Sequence, residues 1–154
     1  MAGPAAAEVV LTQADGSSLT LSSPVTEIIT LSPHLAELVY AAGAQAHLIA
    51  TVEYSNYPEA AATLPRVGDA FRIDIERIVS LKPGLVVAWD SGNPGQAIEQ
   101  LESLGLPVWS VEIRTPGQIA EALVEIGKAT GENASAQIAA GRFSERLQKL
   151  REQY

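Results

Sequence analysis

A chain of 154 residues with 47% hydrophobic and 18% charged side chains is long enough for one ordinary domain that buries roughly two-thirds of its unfolded surface. Its formal charge of −8, with no run of basic residues, excludes binding to nucleic-acid phosphates, which depends on Lys and Arg displacing counterions. The lack of cysteine excludes disulfides, zinc–thiolate sites and thiol nucleophiles, and no apolar run approaches the ~20 residues of a membrane helix.

The N-terminal "MAGPAAAEVV" has small residues like those around a signal-peptidase site but neither a basic nor a long apolar segment. It reads as a mature end with an added Met1. Residues 8–23 form two β-rich runs around Ala14-Asp15-Gly16, a strong hairpin signal. From Thr26 the pattern changes to short apolar runs alternating with helical segments, the pattern of a parallel sheet covered on both faces. The expected strands are 27–31, 47–51, 84–89 and 107–111, with His47 beginning the second.

Each helix carries its own punctuation. Ser32-Pro33 opens the first, with Leu35, Leu38 and Val39 inward and Gly43 at its end. Asp74 caps the next, which turns Ile75, Ile78 and Val79 inward and stops at Lys82-Pro83-Gly84. Asn93-Pro94 opens a third, with Ile98, Leu101 and Leu104 inward and Gly105 as terminator. Thr115-Pro116 opens a fourth with Gln118 at the N3 position of a capping box, Ile119, Leu123 and Ile126 inward, and Gly131 at its end. After Asn133 as cap, Ala136, Ala140, Phe143, Leu147, Leu150 and Tyr154 recur at helical spacing, one apolar stripe along roughly 30 Å. A small lobe does not need so long a helix, so the chain is expected to stop in, or just after, a helix that lies against further protein.

In an open parallel sheet, ligands bind beyond the carboxyl ends of the strands. The loops there are Ser32–His34, Glu53–Pro58, Trp89–Asn93 and Glu112–Arg114, rich in aromatic and neutral polar groups. They suit a large flat or macrocyclic ligand held by apolar contact. Trp109 also reads as the end of a buried strand, and His34 as a helix-end residue. The run Ser91–Gly95 offers backbone N–H groups to an anion or simply makes a turn. Glycine-rich dinucleotide, phosphate-loop and nucleophile-elbow motifs are all absent.

The segments "IITLSPHLAELVYAAGA" 28–44, "YSNYP" 54–58, "IERIVSLKPGLVVAW" 75–89 and "LESLGLPVW" 101–109 together resemble the helical-backbone (class III) periplasmic solute-binding proteins of ABC importers, most closely the cobalamin-binding ones. The likeness covers nearly the whole chain. It implies an α/β fold in which two Rossmann-like lobes, each with a mainly parallel sheet flanked by helices, are joined by one long helix. Residues 1–25 then match an N-terminal β-hairpin flap, 26–131 the N-terminal ligand-binding lobe, and 132–154 the start of the inter-lobe helix, the second lobe being absent. The resemblance further implies a periplasmic, or secreted and membrane-anchored, protein without its signal peptide and without enzymatic activity.

By the same likeness the ligand is cobalamin, another corrinoid or a related metal chelate, with no resident cofactor or metal, and the partner is an ABC permease. Tyr54 matches the aromatic that packs on the corrin. Ser32, Pro33, His34, Ala70 and Phe71 match cleft-lining segments, and Trp89, Asp90 and Ser91 lie in the strand-end loop beside them. Glu76 matches the surface acid presented to permease arginines, a role compatible with favouring the positive end of its own helix. Cobalamin binders often place a tryptophan in the loop "GDAFRID" 68–74, where this chain has Phe71 and Arg72. That arginine suits an anionic ligand, so a haem or iron-siderophore carrier is the alternative within the family. A flavodoxin-like enzyme or nucleotide-binding domain is the alternative outside it. The uncovered stripe on the last helix is expected to pair isolated lobes as a homodimer.

Overall fold

The computed structural model describes residues 7–153, so Met1 and the rest of the first six residues, and Tyr154 of the terminal stripe, lie outside the described part. The hairpin forms where expected: β1 (Val9–Thr12) pairs antiparallel with β2 (Ser18–Leu21) in the register Val9↔Leu21. Gly16 turns the chain at φ 88°, and the Asp15 carboxylate accepts the N–H and O–H of Ser17 at 2.9 and 2.6 Å. Strand alternation turns Val9, Leu11 and Leu21 inward.

Four strands, β3 (Ile28–Thr30), β4 (Leu48–Ala50), β7 (Leu85–Trp89) and β8 (Val108–Val111), form a parallel sheet in the order β4-β3-β7-β8. Because both faces are covered, the strands are apolar runs rather than alternating ones, with Thr30 at the end of β3 and Ser110 in the edge strand β8 as the polar exceptions. Ile28, Leu85 and Val87 face one core with Leu35, Val39, Trp109, Leu123, Ile126 and the hairpin. Ile29, Val86 and Ala88 face the other with Ile78 and Leu101. The first core lies under α1 (Pro33–Ala41), α4 (Pro116–Thr130) and α5 (Asn133–Gln153), the second under α2 (Ile75–Leu81) and α3 (Gly95–Ser103). This is the Rossmann-like α/β lobe with an N-terminal hairpin and a long C-terminal helix. The hairpin shields the outer edge of β8: Gln13 donates to Val108 O and accepts from Ser110 N, and the Trp109 indole donates to Thr12 O.

Local punctuation holds at most helix ends. Ser32 Oγ accepts Leu35 N–H at 3.3 Å, Asp74 accepts Arg77 N–H at 3.1 Å, and Gly131 closes α4 at φ 79°. Gln118 accepts the N–H groups of Arg114 and Thr115, the glutamine half of the expected capping box. Four expectations need correction. His47 ends a 3₁₀ turn (Gln45–His47) instead of beginning β4, because its ring is drawn to Thr26 O at 3.2 Å and Glu132 at 3.0 Å. Val79 and Leu104 are exposed by 40% and 54%, Val79 lying off the inward face of a seven-residue helix and Leu104 falling just past the end of α3. Asn133 is the first residue of α5 rather than its cap; Glu132 O already accepts the N–H of Ala136. The short pair β5 (Gly68–Asp69) and β6 (Arg72–Ile73) was not expected as strand at all.

Candidate functional site

Every strand of the parallel sheet releases its loop at one edge, and there the chain gathers Tyr54, Tyr57, Phe71 and Trp89. Tyr54, Tyr57 and Phe71 expose 78%, 73% and 67% of their surface, an unusual concentration for a chain with so few aromatics. Trp89, at the end of β7, is half-buried beneath Phe71, with ring centroids 6.3 Å apart. His34, in the first turn of α1, meets Trp89 edge-on at 5.3 Å. A cleft of about 620 Å³ opens beside this pair, lined by His34, Trp89 and Ser91 and by Glu37, Leu38, Tyr57, Glu112, Ile113 and Ile119 among others.

Asn93 holds the loops in place. Buried, it donates to Leu31 O at 2.9 Å and Ala70 O at 2.8 Å and accepts the N–H of Trp89 at 2.6 Å, so one amide joins the ends of β3 and β7 to the β5–β6 turn. Gly92 is required beneath the Trp89 ring, since a Cβ there would run into the indole. In the β5–β6 turn the Asp69 carboxylate accepts the N–H groups of Phe71 and Arg72, and Gly68, at φ 91°, leaves no room for a Cβ against Arg72 O. Phe71 is therefore presented on a stiff turn. Arg66 binds Val52 O, Ser55 O, Asn56 Oδ1 and Ala62 O, bracing the loop that carries Tyr54 and Tyr57. Tyr54 itself sits at φ 72°.

The expected residues thus fall into three settings. His34, Trp89 and Ser91 line the cleft, and Phe71 packs on Trp89. Ser32 and Ala70 are buried behind it, Ser32 sharing a 2.8 Å hydrogen bond with His34 Nδ1; Pro33 starts α1. Tyr54, Arg72 and Asp90 are exposed outside the cleft lining, and Glu76 is exposed on the first turn of α2. The sequence places Asn93 in a strand-end loop and at a helix start without pointing to its bridging role, and it singles out neither Arg66 nor Glu37. A polar amide at a strand end was a signal for Asn93; Arg66 and Glu37 had none. Burial pushes the His34 imidazole below its ordinary value of 6.5, against the pull of Glu112 and Glu37. The Ser91 side chain first, and then the Ser91 N–H, 2.9 Å from Oε2, hold the Glu112 carboxyl below its usual range.

Residues 28–154 match the family model described as periplasmic binding protein. The chain is 39% identical over 138 residues to the vitamin B12-binding protein of Vibrio cholerae serotype O1, covering 90% of this chain and 50% of that protein. The solved periplasmic vitamin B12 binding protein BtuF of Vibrio cholerae superposes with a TM-score of 0.82 at 40% identity, over 85% of this chain and 51% of that one. The periplasmic heme binding protein HutB of the same organism gives 0.72 at 26%, over 82% and 49%. The chain spans about half the length of the curated relatives it matches.

Proposed function

The chain belongs to the periplasmic binding protein family, and from that membership we propose that it forms the N-terminal lobe of a carrier that captures cobalamin or a related corrinoid in the periplasm and delivers it to an ABC permease. The observation that carries the reading is the set of exposed rings in the strand-end loops, Tyr54, Tyr57 and Phe71, with Phe71 against Trp89 and Tyr57 in the cleft lining. A flat macrocycle removes such rings from water without demanding many hydrogen bonds. Residues 26–131 supply one wall of the ligand cleft, and α5 begins the helix that leads to a second lobe. His34, Trp89 and Ser91 meet the ligand from the cleft floor, Tyr54 and Phe71 from the rim. Ser32, Pro33, Ala70 and Asp90 shape the loops between them. Glu76 docks against permease arginines, and the role is binding, not catalysis.

Arg72 favours a second reading, haem or an iron-siderophore. It is exposed in the rim turn and has no carboxylate partner within 4.0 Å among the described residues. Absorbance titration of the chain with cyanocobalamin, haem and a flavin nucleotide separates the readings. Saturable cobalamin binding is expected, about a hundredfold or more weaker than in a two-lobed carrier because one wall buries less of the ligand; saturation by haem or flavin alone would overturn it.

A further inference from the structure

The cleft beside His34 is apolar on its walls, where Leu38, Trp89, Ile113 and Ile119 line it, but it carries carboxylates from opposite elements. Glu37 projects from α1 and Glu112 from the end of β8. Neither has a Lys or Arg nitrogen within 4.0 Å among the described residues, and Arg114 acts on Glu112 only at longer range. The group close to both is His34, whose burial favours the neutral ring, so it does not cancel their charge. Glu112 is also fixed in position, because one of its oxygens accepts the Ser91 N–H at 2.9 Å. Arg72, the cation of the rim, is not part of this lining.

From these placements we propose that Glu37 and Glu112 act as a charge filter on the cleft, accepting hydrogen bonds from neutral amide groups of the ligand and repelling ligands that present a carboxylate there. The inference rests on the corrinoid reading above. A corrinoid carries primary amides around its ring, which donate to carboxylates, whereas haem carries propionates in comparable peripheral positions. When the ligand expels water from the cleft, like charges meet at lower dielectric, and the penalty discriminates more strongly than the attraction alone.

The test keeps the macrocycle constant and changes one peripheral group. Cyanocobalamin and its monocarboxylic acids, each with one amide hydrolysed to an acid, are compared by equilibrium dialysis against the 154-residue chain. At least one positional isomer is expected to bind about tenfold more weakly than cyanocobalamin, as rejection by like charge predicts. In the Glu37→Gln, Glu112→Gln double variant the ratio of the two affinities should approach one, and in the unmodified chain it should shrink with added salt. The filter is overturned if every isomer binds as cyanocobalamin does, or if the penalty survives in the double variant. A chain that binds no corrinoid but saturates with haem would overturn the functional reading as well, a distinct result.

Discussion

Tyr54 shows how a single residue is committed to a surface role. A tyrosine at φ 72° with 78% of its surface in water gains little from the fold, so its contribution is expected to appear on ligand binding. Tyr54→Ala should weaken corrinoid binding by about 1–3 kcal/mol, the loss of one large aromatic contact, as read by calorimetry. Unchanged affinity would remove Tyr54 from the site. Asn93 is the opposite case. Asn93→Ala leaves two carbonyls and one N–H without partners in a buried place, and a loss of about 3 kcal/mol in unfolding free energy is expected from denaturant titration. His34 links the site to pH. Its folded imidazole takes up a proton less readily than the unfolded one, so stability is full above its ordinary value of 6.5 and declines as pH falls below it. Melting temperatures measured between pH 7.5 and 5.5 should fall, and His34→Gln should flatten that slope; an equal slope in the variant would assign the decline to other groups.

At the scale of elements, the short helix α2 is built to be altered on its outside. Ile78 is fully buried, whereas Glu76 and Arg77 are exposed and the helix start is already capped by Asp74. Glu76→Arg should therefore leave the fold and ligand affinity intact, apart from the ~0.3–1 kcal/mol that an acid gains at a helix N-terminus. In the proposed two-lobed carrier, transport in reconstituted vesicles should fall if Glu76 docks on permease arginines, because like charges would then meet. Normal transport would end the docking role. The Phe71 turn illustrates why some elements escaped sequence reading. Two strands of two residues each have no hydrophobic period to detect, and the turn exists because Gly68, Asp69 and the distant Asn93 agree on it.

Across the whole molecule, α5 is unevenly covered. Ala136 and Ala140 are buried against α4, but along the same stripe Phe143 and Leu147 are half-buried and Leu150 is 54% exposed. An apolar stripe left in water seeks a partner, and two copies related by a two-fold axis satisfy it with one kind of contact. Sedimentation at micromolar concentration should show a mass that rises with protein, and Leu147→Glu should reduce the association. A constant monomer mass, unaffected by the substitution, would show the stripe to be satisfied within one chain. The sequence alone determined the layered α/β arrangement, the parallel sheet and most helix ends. Those depend on apolar runs and on caps such as Ser32 and Asp74 that bond within a few residues. Only the tertiary structure decided what the loops do together. Asn93 finds partners 62 and 23 residues away, and His47 finds Glu132 across 85. No local pattern encodes such pairs, because they exist only once the sheet has brought its strand ends to one edge.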